Sequence, residues 1–382
     1  MVKVVEIISD TNIGGAGVLL TNRLKHSDRK KIDTSVILPK NSLLVPIIKK
    51  MDIDCIELDG CCDRSFDVSS ILKTKKIIER LHPDIVNTHG CLSGRVAAYL
   101  AHVPVKIYTR HCTYPVNRFR RSPAVKLVMC CVTHVLSDRV IAVANAAKGD
   151  LIEMGVDAEM ISVIINGSDP VERMSAEKRK KIRSEMNISD DAKVVSIFAR
   201  LEDCKDHITF LRAAVLLLRS NPKYVFLIVG SGSREQVLKN MVKTLGISDN
   251  VIFTGFVDDI TAYMNITDIN VNCSVGTETS SLALSEGMSL SIPPVVSDYG
   301  GNPYMVQNGK NGLMFRCGDY TGLAEAIISL DDPELYADLS KKAGERFRSE
   351  LNAKRMTVLT ESLYLKLFKR KTSNSSVRHQ TF

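Results

Sequence analysis

The chain predicts an α/β protein of two doubly wound, Rossmann-like domains facing a central cleft, and three observations lead there. Its 382 residues exceed one ordinary core and suit roughly two domains of about 150 to 200 residues each. Short apolar runs alternate with helix-length amphipathic stretches, the pattern of parallel strands joined by crossover helices. That alternation restarts after a dense turn cluster, Asn166-Gly167-Ser168-Asp169-Pro170, where the chain passes between domains.

Taken in order, Val2 to Ser9 reads as a strand, Val18 to Lys25 as a helix, Thr34 to Leu38 as a strand, Ser42 to Met51 as a helix and Asp54 to Leu58 as a strand. Val68 to Leu81 is then helical, Ile85 to Thr88 a strand, Gly94 to Ala101 a helix, and Lys106 to Thr109, Arg139 to Val143 and Ser162 to Ile165 further strands. After the turn cluster, strands are expected at Val194 to Phe198, Tyr224 to Val229, Val251 to Phe253, Ile269 to Asn272 and Pro294 to Ser297. Residues 1–170 thus form a first domain and 171–355 a second; a helix over about 356–371 packs back on the first, and 372–382 form a flexible polar tail.

A composition 45% hydrophobic and 25% charged describes a folded protein rather than a disordered one. No apolar run reaches the length of about 20 residues needed to cross a bilayer, and the early stretch Met1 to Ile8 contains charges, so neither a leader nor a span is expected. The ten cysteines include the pairs Cys61-Cys62 and Cys130-Cys131 but no Cys-x-x-Cys. They read as small buried hydrophobes in a reducing cytoplasm. The net charge of +8 is concentrated: five Arg or Lys and no acid lie between Arg110 and Lys126. There Arg118, Arg120, Arg121 and Lys126 interleave with Phe119, Val125, Leu127, Val128 and Met129, which fits either a solvated face or reversible contact with an anionic membrane. Nucleic acid is disfavoured, because no aromatic platform accompanies the charge and tryptophan is absent.

Four groups of residues carry the chemistry. Gly14-Gly15-Ala16-Gly17 follows the first strand and opens a helix, a turn that either binds a phosphate on helix amides or simply lets the chain reverse. Arg200 and Lys205 stand just after the strand Val194 to Phe198, where a guanidinium fork and a compact ammonium can neutralise a diphosphate. Glu278 lies in a loop and Glu286 in a helix capped by Thr279, Ser280 or Ser281; one carboxylate can accept from a ribose diol, the other can hold sugar hydroxyls. His89 and His111 end successive strands and suggest a cleft wall, with His111 nearer the reacting sugar. Gly230-Ser231-Gly232 is a strand-to-helix turn able to line a nucleotide, and Asp52-Ile53-Asp54 leads into a strand rather than a metal site.

In this order the residues resemble the retaining, GT-B-fold glycosyltransferases of family 4, also called group 1. The resemblance runs from Gly14-Gly15 through Asn166-Gly167, Asp169, Arg200-Leu201, Lys205, Gly230, Gly232, Gly255, Glu278, Glu286, Pro293, Val295-Val296 and Asn311-Gly312. It implies an acceptor-side first domain and a second domain that holds a UDP- or GDP-sugar, UDP favoured. Arg200 and Lys205 would bind the diphosphate, Glu286 the ribose, Glu278 the donor sugar, Gly15 the phosphates and His111 the sugar near the reacting carbon. It further implies a hexosyltransferase with retained anomeric configuration, no metal or other cofactor, and a lipid-linked oligosaccharide or cell-surface polysaccharide acceptor, acting in the cytoplasm or at the inner membrane face. Gly287, Ser291, Pro294 and Tyr304 depart from the family pattern, which usually has alanine, glycine, valine and glutamate at those places. The alternatives are a nucleotide-sugar epimerase of the same fold, a catalytically silent partner subunit and, more remotely, a dinucleotide oxidoreductase, for which the glycine fingerprint is incomplete.

Overall fold

Two parallel sheets, each flanked by helices, organise the chain. The structure is a computed structural model that describes residues 1–59, 66–113 and 122–379, of which 374–379 are described by their backbone alone. One unit comprises Met1–Gly167 together with the segment from Ala353 onward, and the other Ser168–Asn352.

The first unit runs β1 (Val2–Ile8), α1 (Gly15–Lys25), β2 (Ile32–Pro39), α2 (Val45–Lys50), β3 (Asp54–Leu58), α3 (Val68–Leu81), β4 (Ile85–His89), α4 (Leu92–Leu100), β5 (Val105–Arg110), α5 (Pro123–Leu136), β6 (Arg139–Ala142), α6 (Asn145–Glu153) and β7 (Ile161–Val163). The strand order is β3-β2-β1-β4-β5-β6-β7, with every neighbouring pair parallel. Val5, Ile7, Ile37 and Val86 pack against α3 and α4 through Ile71, Ile78, Ala97 and Ala98. The other face receives Leu20 and Leu24 of α1 with Ile8, Val36 and Leu38. Burial on both faces is why these strands read as unbroken apolar runs. Asp67 caps α3 by accepting from the Ser70 amide at 2.6 Å, a favoured use of a short acidic side chain.

The second unit continues with α7 (Ala176–Glu185), β8 (Lys193–Phe198), α8 (His207–Ser220), β9 (Tyr224–Val229), α9 (Glu235–Leu245), β10 (Val251–Gly255), α10 (Thr261–Asn265), β11 (Ile269–Asn272), α11 (Leu282–Ser289), β12 (Pro294–Ser297), α12 (Asn302–Met305), β13 (Leu313–Phe315), α13 (Tyr320–Ser329) and α14 (Pro333–Glu350). Its sheet order is β10-β9-β8-β11-β12-β13. The largest apolar cluster joins Val195, Ile197, Phe226, Ile228 and Val271 of this sheet to Phe210, Leu217 and Leu323 of α8 and α13.

The two doubly wound sheets expected from the alternation are present, and the differences are local. β13 has only three residues, too short to register as a periodic run beside Asn311-Gly312. α1 begins at Gly15 rather than Val18, because Gly14 takes the cap position. The final helix, α15 (Ala353–His379), continues through residues expected to form a flexible polar tail. Thr372 and Lys371 explain part of that: the Thr372 hydroxyl donates to the Phe368 and Lys369 carbonyls at 3.2 and 3.0 Å, and Lys371 pairs with Asp138 at 2.7 Å.

Candidate functional site

In the second unit, β9 and β10 extend from one side of β8 while β11 to β13 extend from the other. The crevice outside the carboxyl ends of β8 and β11 is therefore a topological switch point, where open α/β sheets bind ligands. Two loops meet there. The Val275 and Gly276 amides of the loop after β11 donate to the Cys204 carbonyl of the loop after β8, at 2.9 and 3.2 Å. This pairing sets the Lys205 ammonium against Glu278, Nζ to Oε2 at 2.7 Å. The same oxygen accepts from Ser274 Oγ at 2.8 Å and Asn272 Nδ2 at 3.1 Å. Burial acts upward on the Glu278 pKa, but the charge and hydrogen bond of Lys205, with Asn272 and Ser274, hold it below the ordinary value.

Close backbone packing supports the Glu278 loop. A Cβ on Gly301 would lie 1.4 Å from the Thr279 carbonyl oxygen, so only glycine fits. Asn302 is fully buried and donates to the carbonyl and hydroxyl of Ser297, both at 3.2 Å, and Ser297 Oγ donates to the Ser274 carbonyl at 2.6 Å. On the other side, a Cβ on Gly230 or Gly232 would meet the carbonyl oxygens of Ala199 or Leu201 at 2.1 and 2.5 Å. These two glycines thus let the backbone pass closely around Arg200. Arg200 is exposed, and its guanidinium makes no hydrogen bond among the described residues.

Ser281 is the cap of α11, its hydroxyl accepting from the Leu284 amide at 3.4 Å. Of the other candidate caps, Ser280 turns inward toward Met305 Sδ at 3.7 Å, and Thr279 is buried beside Gly301. Glu286, on α11, is half-buried, and its carboxylate has no hydrogen-bond partner among the described residues. Burial alone pushes it up to about 7.

The first unit has its own switch point, between β1 and β4. Glu6 of β1 is opposite Asn87 of β4 in the ladder and is completely buried. Its Oε1 accepts from Arg23 at 2.5 Å and from the Tyr364 hydroxyl at 3.0 Å. Its Oε2 lies 2.8 Å from both Asn87 Nδ2 and His89 Nε2. Burial acts upward on this carboxyl, yet Arg23, then His89 and Asn87, bring it down to about 2. His89 Nδ1 in turn lies 2.7 Å from His111 Nε2. Burial, then the neighbouring His89, lower the His111 pKa well below the usual histidine value, against an upward pull from Glu6. The start of α1 is open: Gly14 has no side-chain cap bond, the first turn contains no acid, and a Cβ on Gly14 or Gly15 would meet nothing within 4 Å.

Comparison with known proteins identifies the family. Residues 13–172 match the family described as Glycosyltransferase Family 4, and residues 178–346 match Glycosyl transferases group 1. The chain belongs to the group 1 glycosyltransferases. It is 27% identical over 310 residues to the UDP-Gal:alpha-D-GlcNAc-diphosphoundecaprenol alpha-1,3-galactosyltransferase of Escherichia coli, covering 78% of this chain and 79% of that enzyme. The lipopolysaccharide core biosynthesis glycosyltransferase LpsD of Rhizobium meliloti (strain 1021) is 30% identical over 189 residues, 49% of this chain and 52% of that one. Among solved structures, Anabaena Alr3699/HepE in complex with UDP and glucose superposes with a TM-score of 0.81 at 21% identity, covering 95% of this chain and all of that one. The glycosyltransferase accordingly has the GT-B type of fold and is a hexosyltransferase that uses nucleotide sugars.

The structure brings Lys205 and Glu278 into direct contact and joins His89 to His111, whereas Arg200 and Glu286 stay unpaired by hydrogen bonds among the described residues. Sequence reasoning missed Glu6, Arg23, Asn87 and Tyr364, and around Glu278 it missed Asn272, Ser274, Asn302 and Gly301. One signal was available: a glutamate inside the apolar strand Val2 to Ile8 needs a buried partner. Arg118, Phe119, Arg120 and Arg121 lie outside the described residues. On α5, Leu127 and Val128 are 66% and 59% exposed. Every described cysteine is a free thiol. Among the described residues, no helix is long and apolar enough to cross a membrane, and no group of three or more His, Cys, Asp or Glu is placed to hold a metal.

Proposed function

We propose that this glycosyltransferase is a retaining enzyme that transfers a hexosyl or N-acetylhexosaminyl group from a UDP-sugar to a lipid-linked oligosaccharide or cell-surface polysaccharide. The observation that carries the reading is the Lys205–Glu278 pair at the β8/β11 switch point, with Arg200 exposed in the same segment after β8. Arg200 and Lys205 neutralise the departing diphosphate, the amides at the start of α1 beside Gly14 and Gly15 add to that neutralisation, Glu286 accepts from the ribose diol, and Glu278 holds the donor sugar. Lys205 neutralises Glu278, so that carboxylate can meet neutral hydroxyls without an unpaired buried charge. His111 contacts the sugar near its reacting carbon. The acceptor hydroxyl attacks the anomeric carbon on the face the diphosphate leaves, and the departing phosphate oxygen takes the hydroxyl proton.

The polyprenyl-diphosphate acceptor in the name of the Escherichia coli relative and the lipopolysaccharide role in that of the Rhizobium meliloti relative support a glycolipid acceptor. An acceptor of this kind favours action at the cytoplasmic membrane face, with the exposed apolar side of α5 and the preceding arginines as the contact. Sedimentation with anionic vesicles should retain the protein at low salt and release it at high salt; no sedimentation at low salt excludes that contact.

The decisive test is a thermal-shift screen with UDP, GDP and ADP, followed by mass spectrometry of lipid extracts incubated with the protein and individual UDP-sugars. Stabilisation by UDP and a lipid gaining one hexose or N-acetylhexosamine support the reading, while stabilisation by GDP alone overturns the donor assignment. Two cations and helix amides at the leaving group make a metal unnecessary, so EDTA should leave the rate unchanged. Abolition by EDTA with rescue by magnesium or manganese argues for a metal site instead.

A further inference from the structure

The hydrogen-bond chain in the first unit determines where protons sit. Ionised Glu6 has no proton to give, so each of its four partners must donate. Arg23, the Tyr364 hydroxyl and Asn87 Nδ2 are donors by nature; His89 must therefore donate from Nε2. A neutral imidazole that donates from Nε2 accepts at Nδ1. The atom 2.7 Å from that nitrogen is His111 Nε2, which must then be the donor. The two rings are 19° apart in plane with centroids at 5.0 Å, an arrangement compatible with a bond running edge to edge.

We propose that Glu6 and His89 are positioning residues that fix His111 as its Nε2–H tautomer, leaving Nδ1 as the lone-pair nitrogen. Only the catalytic consequence rests on the donor-sugar role proposed above for His111; the tautomer itself does not. With this tautomer, a contact between His111 Nδ1 and a sugar hydroxyl is one in which the imidazole accepts. The surroundings favour a neutral His111. A cavity of about 30 Å³ beside both histidines is walled by Ile141, Val143, Ile164 and Met356, and burial disfavours the charged ring. Among the described residues, the ionisable groups acting on the chain include Glu6 on β1, Arg23 on α1 and Tyr364 on α15, with Glu361 acting on Arg23 from the same helix.

The test uses the full chain labelled with ring ¹⁵N histidine, with His111 assigned by its loss in His111→Gln. At pH 7.5 the His111 resonances should show a protonated Nε2 and an unprotonated Nδ1. A proton on Nδ1, or a cationic ring, overturns the proposal. His89→Phe removes both relay nitrogens and keeps Glu6 opposite Arg23; His111 should then average between tautomers, and a single retained tautomer in the folded variant also overturns it. In transfer assays His89→Phe should lower kcat roughly tenfold or more and have no further effect in a His111→Ala background. An additional loss in that background counts against the relay. If His111→Ala alone leaves transfer unchanged, the donor-sugar role falls, and the tautomer is still decided by the spectra.

Discussion

Each unit buries one carboxylate against one cation at the switch point of its sheet, but the two pairs are enclosed differently. Glu6 is fully shut in, and both of its oxygens are occupied by donors from β4, α1 and α15. Glu278 is 5% exposed and its hydrogen bonds gather on one oxygen, Oε2, from Lys205, Ser274 and Asn272. Its cation Lys205 has a side chain 17% exposed, against 5% for Arg23. A saturated carboxylate can orient neighbours but cannot take a ligand; a carboxylate bonded on one side can do both. The same ingredients thus give a carboxylate satisfied on both oxygens in the first unit and one bonded on a single oxygen in the second.

The largest effect that tests this contrast is on turnover in the second unit. Arg200→Ala and Lys205→Ala should each lower turnover on the order of a hundredfold or more. Because Arg200 is exposed and makes no hydrogen bond among the described residues, its variant should keep the wild-type Tm, whereas Lys205→Ala strands Glu278 and should also lower Tm. Near-normal turnover in both variants removes the leaving-group assignment.

Stability in acid probes the first unit. Glu6 is held at about 2 in the fold, below the ordinary 4.5, so its contribution is complete above the unfolded value and is lost as pH falls from about 4.5 towards 2. That window is worth roughly 3 kcal/mol by linkage. Urea titrations between pH 5 and 3 should show the slope in the wild type and a flatter profile in Glu6→Gln, which should itself be less stable because Arg23 is left facing a neutral amide. Equal slopes in the two proteins would mean that Glu6 is not the titrating group.

The smallest expected effect concerns Glu286. Burial raises it to about 7, and in its proposed role ribose hydroxyls donating to it would favour its ionised form. UDP binding should therefore release a proton and tighten as pH rises from about 6 to 8, by at most about tenfold per pH unit. Isothermal titration in buffers of different ionisation enthalpy reads that proton directly, and Glu286→Gln should abolish it.

Much of this was legible in the chain because parallel strands announce themselves as apolar runs. Asp54 to Leu58, Val68 to Leu81 and Tyr224 to Val229 were expected at the bounds observed. The carboxyl-end loops with Arg200, Lys205 and Glu278, and the helix with Glu286 that follows, were placed by strand positions. What sequence order does not contain is which of these groups meet. Lys205 and Glu278 are 73 residues apart, and only the backbone pairing of Cys204 with Val275 and Gly276 brings them together. The departures from the family pattern also acquire physical reasons. Ser291 takes a positive φ of 64°, a conformation that favours the glycine usual there. The space a Gly287 methyl would need is occupied by Asn270 Nδ2, 2.5 Å away, so glycine and asparagine fit as a pair.

The hydrogen bond from Tyr364 to Glu6 joins residues 358 positions apart, and this has a consequence during synthesis. At ordinary elongation rates the last donor to Glu6 emerges roughly 20 to 70 s after the strand that needs it. The second unit is continuous, Ser168–Asn352, and all its strands have been made by then. The first unit must wait with Glu6 and Arg23 incompletely enclosed until α15 arrives. The unit that begins translation is therefore the one that finishes folding last, and a ribosome stalled before Tyr364 should hold a protein whose second sheet is complete and whose first still lacks its closing helix.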